Sequence, residues 1–330
     1  MIEDLNAVLS DAAEGKRIPD RSCIGMLSLP EDSPEADTVI NAADRFVRDR
    51  CRNEASIGAQ IGIITGPCYA DCGFCAFARS TTDIEDYVMK SDELSRYLRT
   101  ITDGGTVSSI SLMTIHNFDF EDLIDSVDLA RSMLPENVEL CINTGDLEPG
   151  ECRELRDAGV DTAYHAIRLG ESTDNLLEPL GRSETIRNLL AAGIKVATGV
   201  EPIGPEHTPE MIFESYRRAY QMGCSCCSAS AREPVPGTRL FNAGSISEKR
   251  LKLIRSVLLM SSTWCDRTEF GFYGGFYGGF NRMFAEYAGS PKDLRELSER
   301  GLGRTLEWVR RQLKDDGYKW IRTPDGRMPI

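Results

Sequence analysis

Three cysteines, Cys68, Cys72 and Cys75, fall in the run Gly66-Pro67-Cys68-Tyr69-Ala70-Asp71-Cys72-Gly73-Phe74-Cys75-Ala76-Phe77, directly after the apolar segment 60–65. The spacing C-x3-C-x2-C supplies three thiolates from one loop, which is enough for three irons of a 4Fe-4S cluster and one too few for the fourth. An iron without a protein ligand is an open coordination site, and an open site is a place for chemistry rather than electron storage. A structural zinc site would want a fourth ligand, which one of Cys224, Cys226 and Cys227 could lend. A disulfide framework is a poor reading of 11 cysteines in a chain that begins without an apolar signal core. The expected setting is the reducing cytoplasm.

Other polar residues gather after apolar segments. All three histidines, His116, His165 and His207, lie in or just beyond candidate strands. Each could be a satisfied structural histidine, but they share an address. The run Gly199-Val200-Glu201-Pro202-Ile203-Gly204-Pro205-Glu206-His207 carries two carboxylates and an imidazole on a backbone stiffened by proline, and Glu201 is suited to grip an ammonium or hydroxyl group. Arg232, in Ala231-Arg232-Glu233-Pro234, is a candidate carboxylate clamp, with surface ion pairing as the alternative.

These residues need a frame to bring them together. Short β-rich segments at 61–65, 107–115, 138–143, 162–167, 195–200, 225–232, 268–273 and 282–287 alternate with amphipathic stretches at 92–100, 120–134, 183–192, 209–222 and 247–262. Several stretches stop at glycine, as at Gly104, Gly159, Gly193 and Gly223. Repeated βα units build a parallel sheet, and eight strands would close a (β/α)8 TIM-type barrel, whereas six would leave it partly open. The closed barrel is the expected α/β fold, with catalytic groups at the C-terminal ends of its strands. Residues 1–55 read as an N-terminal helical extension (helices at 2–13 and 33–49), 56–318 as the barrel with a last helix at 303–315, and 319–330 as a loose tail.

With 330 residues and 41% hydrophobic content the chain can bury a large core. No apolar run is long enough to span a bilayer, so no membrane role is expected. A formal net charge of −14 argues against nucleic acid as a partner.

The segments 65–75, Leu140-Cys141-Ile142-Asn143-Thr144-Gly145-Asp146-Leu147, Ala192-Gly193-Ile194-Lys195-Val196 and Pro236-Gly237-Thr238 resemble the biotin-synthase-like branch of the radical S-adenosylmethionine (SAM) superfamily. Glu201 to His207 and Ala285-Glu286-Tyr287-Ala288-Gly289-Ser290-Pro291-Lys292-Asp293 are most similar to HmdB-type proteins, linked to iron-only hydrogenase cofactor assembly. The resemblance implies a radical SAM barrel with a 4Fe-4S cluster on Cys68, Cys72 and Cys75. It implies SAM bound near Phe74, by Arg182 at its carboxylate, by Arg168 and Glu171, and by backbone carbonyls near Met113 and Thr114. It further implies an electron donor such as ferredoxin or flavodoxin, and a small substrate gripped by Glu201, His165, His207 and Arg232. Of the cysteines that hold a 2Fe-2S sulfur donor in biotin synthase, only Cys141 has a counterpart, Ala197 standing at another, so Cys141 is expected to line the substrate cavity. The reaction this implies is reductive cleavage of SAM to a 5′-deoxyadenosyl radical that takes hydrogen from the substrate, in biosynthesis of a specialised cofactor. Sulfur insertion, carbon-skeleton rearrangement and a non-catalytic iron–sulfur scaffold remain alternatives. Cys224, Cys226 and Cys227 read as core packing or an auxiliary cluster, and the duplication Phe272-Tyr273-Gly274-Gly275-Phe276-Tyr277-Gly278-Gly279 as a lid or a linker.

Overall fold

A computed structural model describes residues 4–263, 281–288 and 304–330. The candidate strand at 268–273 and the aromatic–glycine duplication at 272–279 lie outside the described residues. Three helices come first: α1 (Leu5–Ala13), α2 (Asp20–Leu27) and α3 (Pro34–Arg50). Capping sets the start of α3, because Ser33 Oγ accepts from Ala36 N–H at 3.2 Å and Pro34 occupies the first turn. Acidic Glu35 and Asp37 at its start and basic Arg48 and Arg50 at its end complement the helix dipole. The short α2 was not expected from sequence, since its eight residues hold only two turns of weak pattern.

The sheet begins earlier than expected, with β1 running Glu54–Thr65. It is buried on both faces, as a central parallel strand must be, and Gly58 stands where a side chain would run into Phe284, 2.5 Å from a built Cβ. The other elements are β2 (Tyr87–Val88), α4 (Ser91–Thr102), β3 (Val107–Thr114), α5 (Phe120–Met133), β4 (Glu139–Asn143), α6 (Pro149–Asp157), β5 (Thr162–Tyr164), α7 (Pro179–Ala191), β6 (Lys195–Ile203), α8 (Pro209–Gln221), β7 (Cys226–Ala231), α9 (Glu248–Ser261) and β8 (Arg282–Tyr287). Strands β1, β3, β4, β5, β6 and β7 pair in parallel in that order, and β8 pairs in parallel with β1.

The sheet of the described residues curls into a partly open (β/α) barrel, the more open of the two expected forms. Helix Leu306–Asp315 follows β8. The segment expected as a loose tail is a hairpin, β9 (Trp320–Thr323) and β10 (Gly326–Pro329), and β9 pairs with Glu54 to Ser56 of β1. Its alternation of Trp320, Ile321, Met328 and Pro329 is too short to register as a strand pattern. No helix among the described residues is long and apolar enough to cross a membrane.

Candidate functional site

The cysteine loop leaves β1 at Gly66, whose φ of 145° is open to glycine but strained for other residues. Backbone bonds then fold the loop on itself. Cys68 N–H donates to Phe77 O at 2.7 Å, Arg79 N–H to Cys68 O at 3.3 Å, and Cys75 N–H to Cys72 O at 2.9 Å. The surrounding loops hold it from outside: Gly73 N–H donates to Asp174 O at 2.8 Å, Tyr69 N–H to Asn117 Oδ1 at 2.7 Å, and His116 N–H to Cys68 Sγ at 3.3 Å. Gly145 permits that last contact, since a Cβ there would lie 2.2 Å from the His116 carbonyl oxygen.

All three cysteines line one cavity of about 710 Å³, together with Phe74, Met113, Thr114, His116, Arg168, Arg182 and Glu201. Burial and then the Cys72 sulfur push the Cys75 thiol up to about 12. Among the described residues no three histidine, cysteine or acidic groups converge closely enough to hold a metal ion. Two buried polar atoms of the cavity wall, His116 Nδ1 and Tyr164 Oη, make no hydrogen bond among the described residues. Such orphans mark a wall built to meet a bound polar ligand.

Behind the wall lies a charged network. Arg182, 3% exposed, donates through Nη1 to Asp146 Oδ1 at 2.8 Å and through Nε to Ala166 O at 3.2 Å. Glu171 Oε2 accepts the Arg168 backbone N–H at 2.7 Å, and Glu171 Oε1 is 3.9 Å from Arg182 Nε. Burial resists ionisation of Asp146, yet His165 and the Arg182 charge outweigh it and hold its pKa well below the carboxylate range. Burial and then Arg182 push His165 down to about 3, so the imidazole is neutral, with Nε2 3.3 Å from Asp146 Oδ1. Burial raises Glu171, whereas Arg168 is raised against its own burial by Cys72, Glu201 and Glu171. Burial and the Glu201 charge keep the Tyr164 phenol protonated, well above its ordinary pKa.

The structure therefore divides the expected site residues. Cys68, Cys72, Cys75, Phe74, Met113, Thr114, Arg168, Arg182 and Glu201 share the cavity, and Glu171 braces it from behind. His165 lies behind the wall and contacts Asp146 rather than the cavity. His207 and Arg232 are also outside its lining. His207 Nδ1 accepts Gly204 N–H at 2.9 Å, turning the ring onto its own loop. Arg232 donates to Glu206 through both terminal nitrogens, the Nη2 bond at 2.9 Å, and through Nε to Gly244 O at 2.9 Å, which occupies the fork expected for a substrate. Both corrections have one cause: a residue after a strand can fold back to satisfy its own loop.

Below the main cavity is a chamber of about 160 Å³ that includes Cys141, Cys226, Ser111, Thr162, Thr198 and Ser228. Cys141 lines it as expected. Cys224 and Cys227 are core residues, but Cys226 also lines this chamber, a placement strand alternation would have given once the strand start was known. Met113, Asn143, Tyr164, Ser230, Arg255 and Arg304 line both spaces. Sequence reasoning missed Tyr164, Asp146 and Arg255. For Arg255 a signal existed: it interrupts the apolar stretch Leu253, Ile254, Val257, Leu258, all at most 1% exposed.

The partly open parallel barrel turns three loop thiols and two arginines, Arg168 and Arg182, onto one cavity. Residues 63–219 match the sequence model of the Radical SAM superfamily. The chain is thus similar to radical SAM superfamily enzymes, biotin synthase among them, a superfamily that uses a 4Fe-4S cluster and SAM. It is 26% identical over 256 residues to biotin synthase of Saccharopolyspora erythraea, covering 75% of this chain and 71% of that one. Over 199 residues it is 28% identical to biotin synthase of Desulforudis audaxviator, covering 57% and 59%. It spans only 54% of the Kocuria rhizophila enzyme. The fold is similar to that of methylornithine synthase (PylB), TM-score 0.77 at 18% identity, covering 94% of this chain and 96% of that one. It is also similar to HydG, a maturase of the [FeFe]-hydrogenase, TM-score 0.76 at 14% identity, covering 97% and 75%.

Proposed function

We propose that this protein reductively cleaves SAM and abstracts hydrogen from a small substrate held in the barrel. The observation that carries the proposal is the single cavity shared by Cys68, Cys72 and Cys75, Arg168, buried Arg182, and the orphaned Tyr164 hydroxyl. When bound, the cluster and SAM supply an electron and a 5′-deoxyadenosyl radical, and the hard chemistry is theirs. The chain's residues do the rest. Arg182, held by Asp146, and Arg168, whose backbone N–H donates to Glu171, offer guanidinium groups to the SAM carboxylate and ribose, and Phe74 offers an apolar face to the adenine. Glu201 and protonated Tyr164 grip polar groups of the substrate.

The resemblance to HmdB-type proteins and the fold likeness to a hydrogenase maturase support use in biosynthesis of a specialised cofactor. An electron donor such as ferredoxin or flavodoxin in the cytoplasm fits the one-electron demand. Sulfur insertion of the biotin synthase kind is the weaker reading, because Ala197 and Ser111 line the lower chamber where further thiols would be needed. The test is anaerobic reconstitution with iron and sulfide, then dithionite and SAM. Formation of 5′-deoxyadenosine is expected, and its absence from cluster-loaded protein refutes the proposal.

A further inference from the structure

The three loop thiols share one cavity without converging, so what holds each cysteine decides how the loop meets its cofactor. The main chain of Cys68 is bonded within the loop: its N–H donates to Phe77 O at 2.7 Å, and its C=O accepts from the N–H groups of Asp71 and Arg79 at 3.1 and 3.3 Å. The residues on either side of it are held from outside by one side chain. Asn117 Oδ1 accepts the Tyr69 N–H at 2.7 Å, and Asn117 Nδ2 donates to Pro67 O at 3.2 Å. An amide that uses its acceptor on one side of Cys68 and a donor on the other straddles the cysteine and resists both sliding and turning of the chain there.

The clasp stands on a firm mount. Strand β3 ends at Thr114, and Ile115, 5% exposed, donates its N–H to Ile64 O at 3.1 Å, which ties the start of this loop to the end of β1. Between mount and clasp lies His116, whose N–H donates to Cys68 Sγ at 3.3 Å. Gly145, after β4, leaves room for it, because a Cβ there would lie 2.2 Å from His116 O. The N–H···S contact is thus kept from two sides, with Asn117 fixing the cysteine and Gly145 letting the His116 amide stay where it is. A hydrogen bond offered to a cysteine sulfur draws off negative charge, and a cluster so bonded takes up an electron at a higher potential.

We infer that Asn117 is a positioning residue: it straddles Cys68, keeps the Cys68 sulfur on the His116 amide, and thereby raises the reduction potential of the cluster that this cysteine holds. The inference rests on the proposed function only in taking that cluster as the cofactor of the loop. Nothing in the spacing of the cysteines marks Asn117, since its two bonds reach back 48 and 50 residues.

Amide exchange, followed by NMR on the full chain without iron, tests the clasp. Asn117→Ala is expected to speed exchange about fivefold or more at Tyr69, and also at His116, whose amide Asn117 does not touch. Asn117→Asp, which keeps the acceptor and loses the donor, should fall between, and Gly145→Ala should speed His116 alone. Asn188→Ala removes a comparable amide, one that donates to Leu147 O at 3.1 Å, and should change neither. After anaerobic reconstitution, a redox titration read by electron paramagnetic resonance should give a lower midpoint potential in Asn117→Ala and in Gly145→Ala, and an unchanged one in Asn188→Ala. If Asn117→Ala does not fold, Asn117→Asp carries the exchange test and Gly145→Ala the potential. His116 exchange at the wild-type rate in the folded Asn117 variants overturns the inference, as does an unchanged midpoint potential in their cluster-loaded forms. A wild type that takes up no cluster rejects the proposed function and the effect on potential, while the exchange rates still decide whether Asn117 holds Cys68.

Discussion

The upper cavity and the lower chamber are two ends of one barrel interior built by opposite means. The upper wall is made of loops after strands, and its charged groups are braced by partners behind them, Arg182 by Asp146 and Glu171 by the Arg168 backbone. Side chains of the strands themselves build the chamber, with hydroxyls and two thiols set by alternation along β3 to β7. Bracing from behind allows a cation to be buried and still face a ligand. Alternation instead gives a tailored polar floor with little freedom to move. On the proposed function, cofactor chemistry falls to the braced loops, and substrate shape to the strands.

The largest effect should come from removing the loop thiols. Replacing Cys68, Cys72 and Cys75 together by Ala should abolish cluster assembly while the far-ultraviolet circular dichroism persists. Iron and sulfide analysis after reconstitution decides this, and a substantial cubane remaining would break the division between the two ends.

Next is the brace. Arg182→Ala should weaken SAM binding at least tenfold, read by equilibrium binding, and lower stability. Removing one partner of a fully buried pair costs about 3–5 kcal/mol. The Asp146 side chain keeps 37% exposure, so about 2 kcal/mol is expected in denaturant titration. A SAM affinity unchanged in this variant would remove Arg182 from the ligand wall.

The same network gives a pH signature. His165 is neutral when folded, at about 3, and regains an ordinary value near 6.5 on unfolding, so the unfolded chain takes up the extra proton. Stability is therefore full above about pH 6.5 and falls as pH drops toward 3, by roughly 1.4 kcal/mol per unit for one proton. Asp146, held below its ordinary value, adds a further loss only below about pH 4. Thermal midpoints between pH 7 and 4.5 should decline in wild type and flatten in His165→Asn, while an equal slope in both would place the titration elsewhere.

The smallest effect is predicted in the floor. Cys141→Ala should leave iron stoichiometry intact and change at most the yield of substrate reaction per SAM cleaved. A second cluster seen by Mössbauer spectroscopy and lost in Cys141→Ala would overturn the separation and revive sulfur insertion.

This split also decided what the sequence could reveal. The cysteine loop was legible because its ligands are contiguous, and most parallel strands because β-branched runs alternate with capped helices. Strand β1 was read only from its apolar half, since Ser56, Gly58 and Gln60 give no strand-like run, although partners on both edges make a strand of them. Arg232 and His207 were misplaced because position after a strand does not fix where a side chain turns. Arg255 was invisible as a site residue because its contact with β7 is tertiary. The hairpin at the C-terminal end went unseen for the same reason, its pairing lying with β1 rather than within itself.

That hairpin bears on how the molecule is made. Strand β1 carries the cysteine loop at one end and takes β9 as a partner at the other, and nearby Arg48 donates to Asp316 O, 268 residues later. During synthesis the thiols emerge before β9, so the strand that mounts them lacks that partner until residues 320–323 have been made. Contacts so distant in sequence close slowly. The loop is thus mounted on an incompletely paired strand until β9 has been made, and iron delivered before then would meet three thiols not yet fixed.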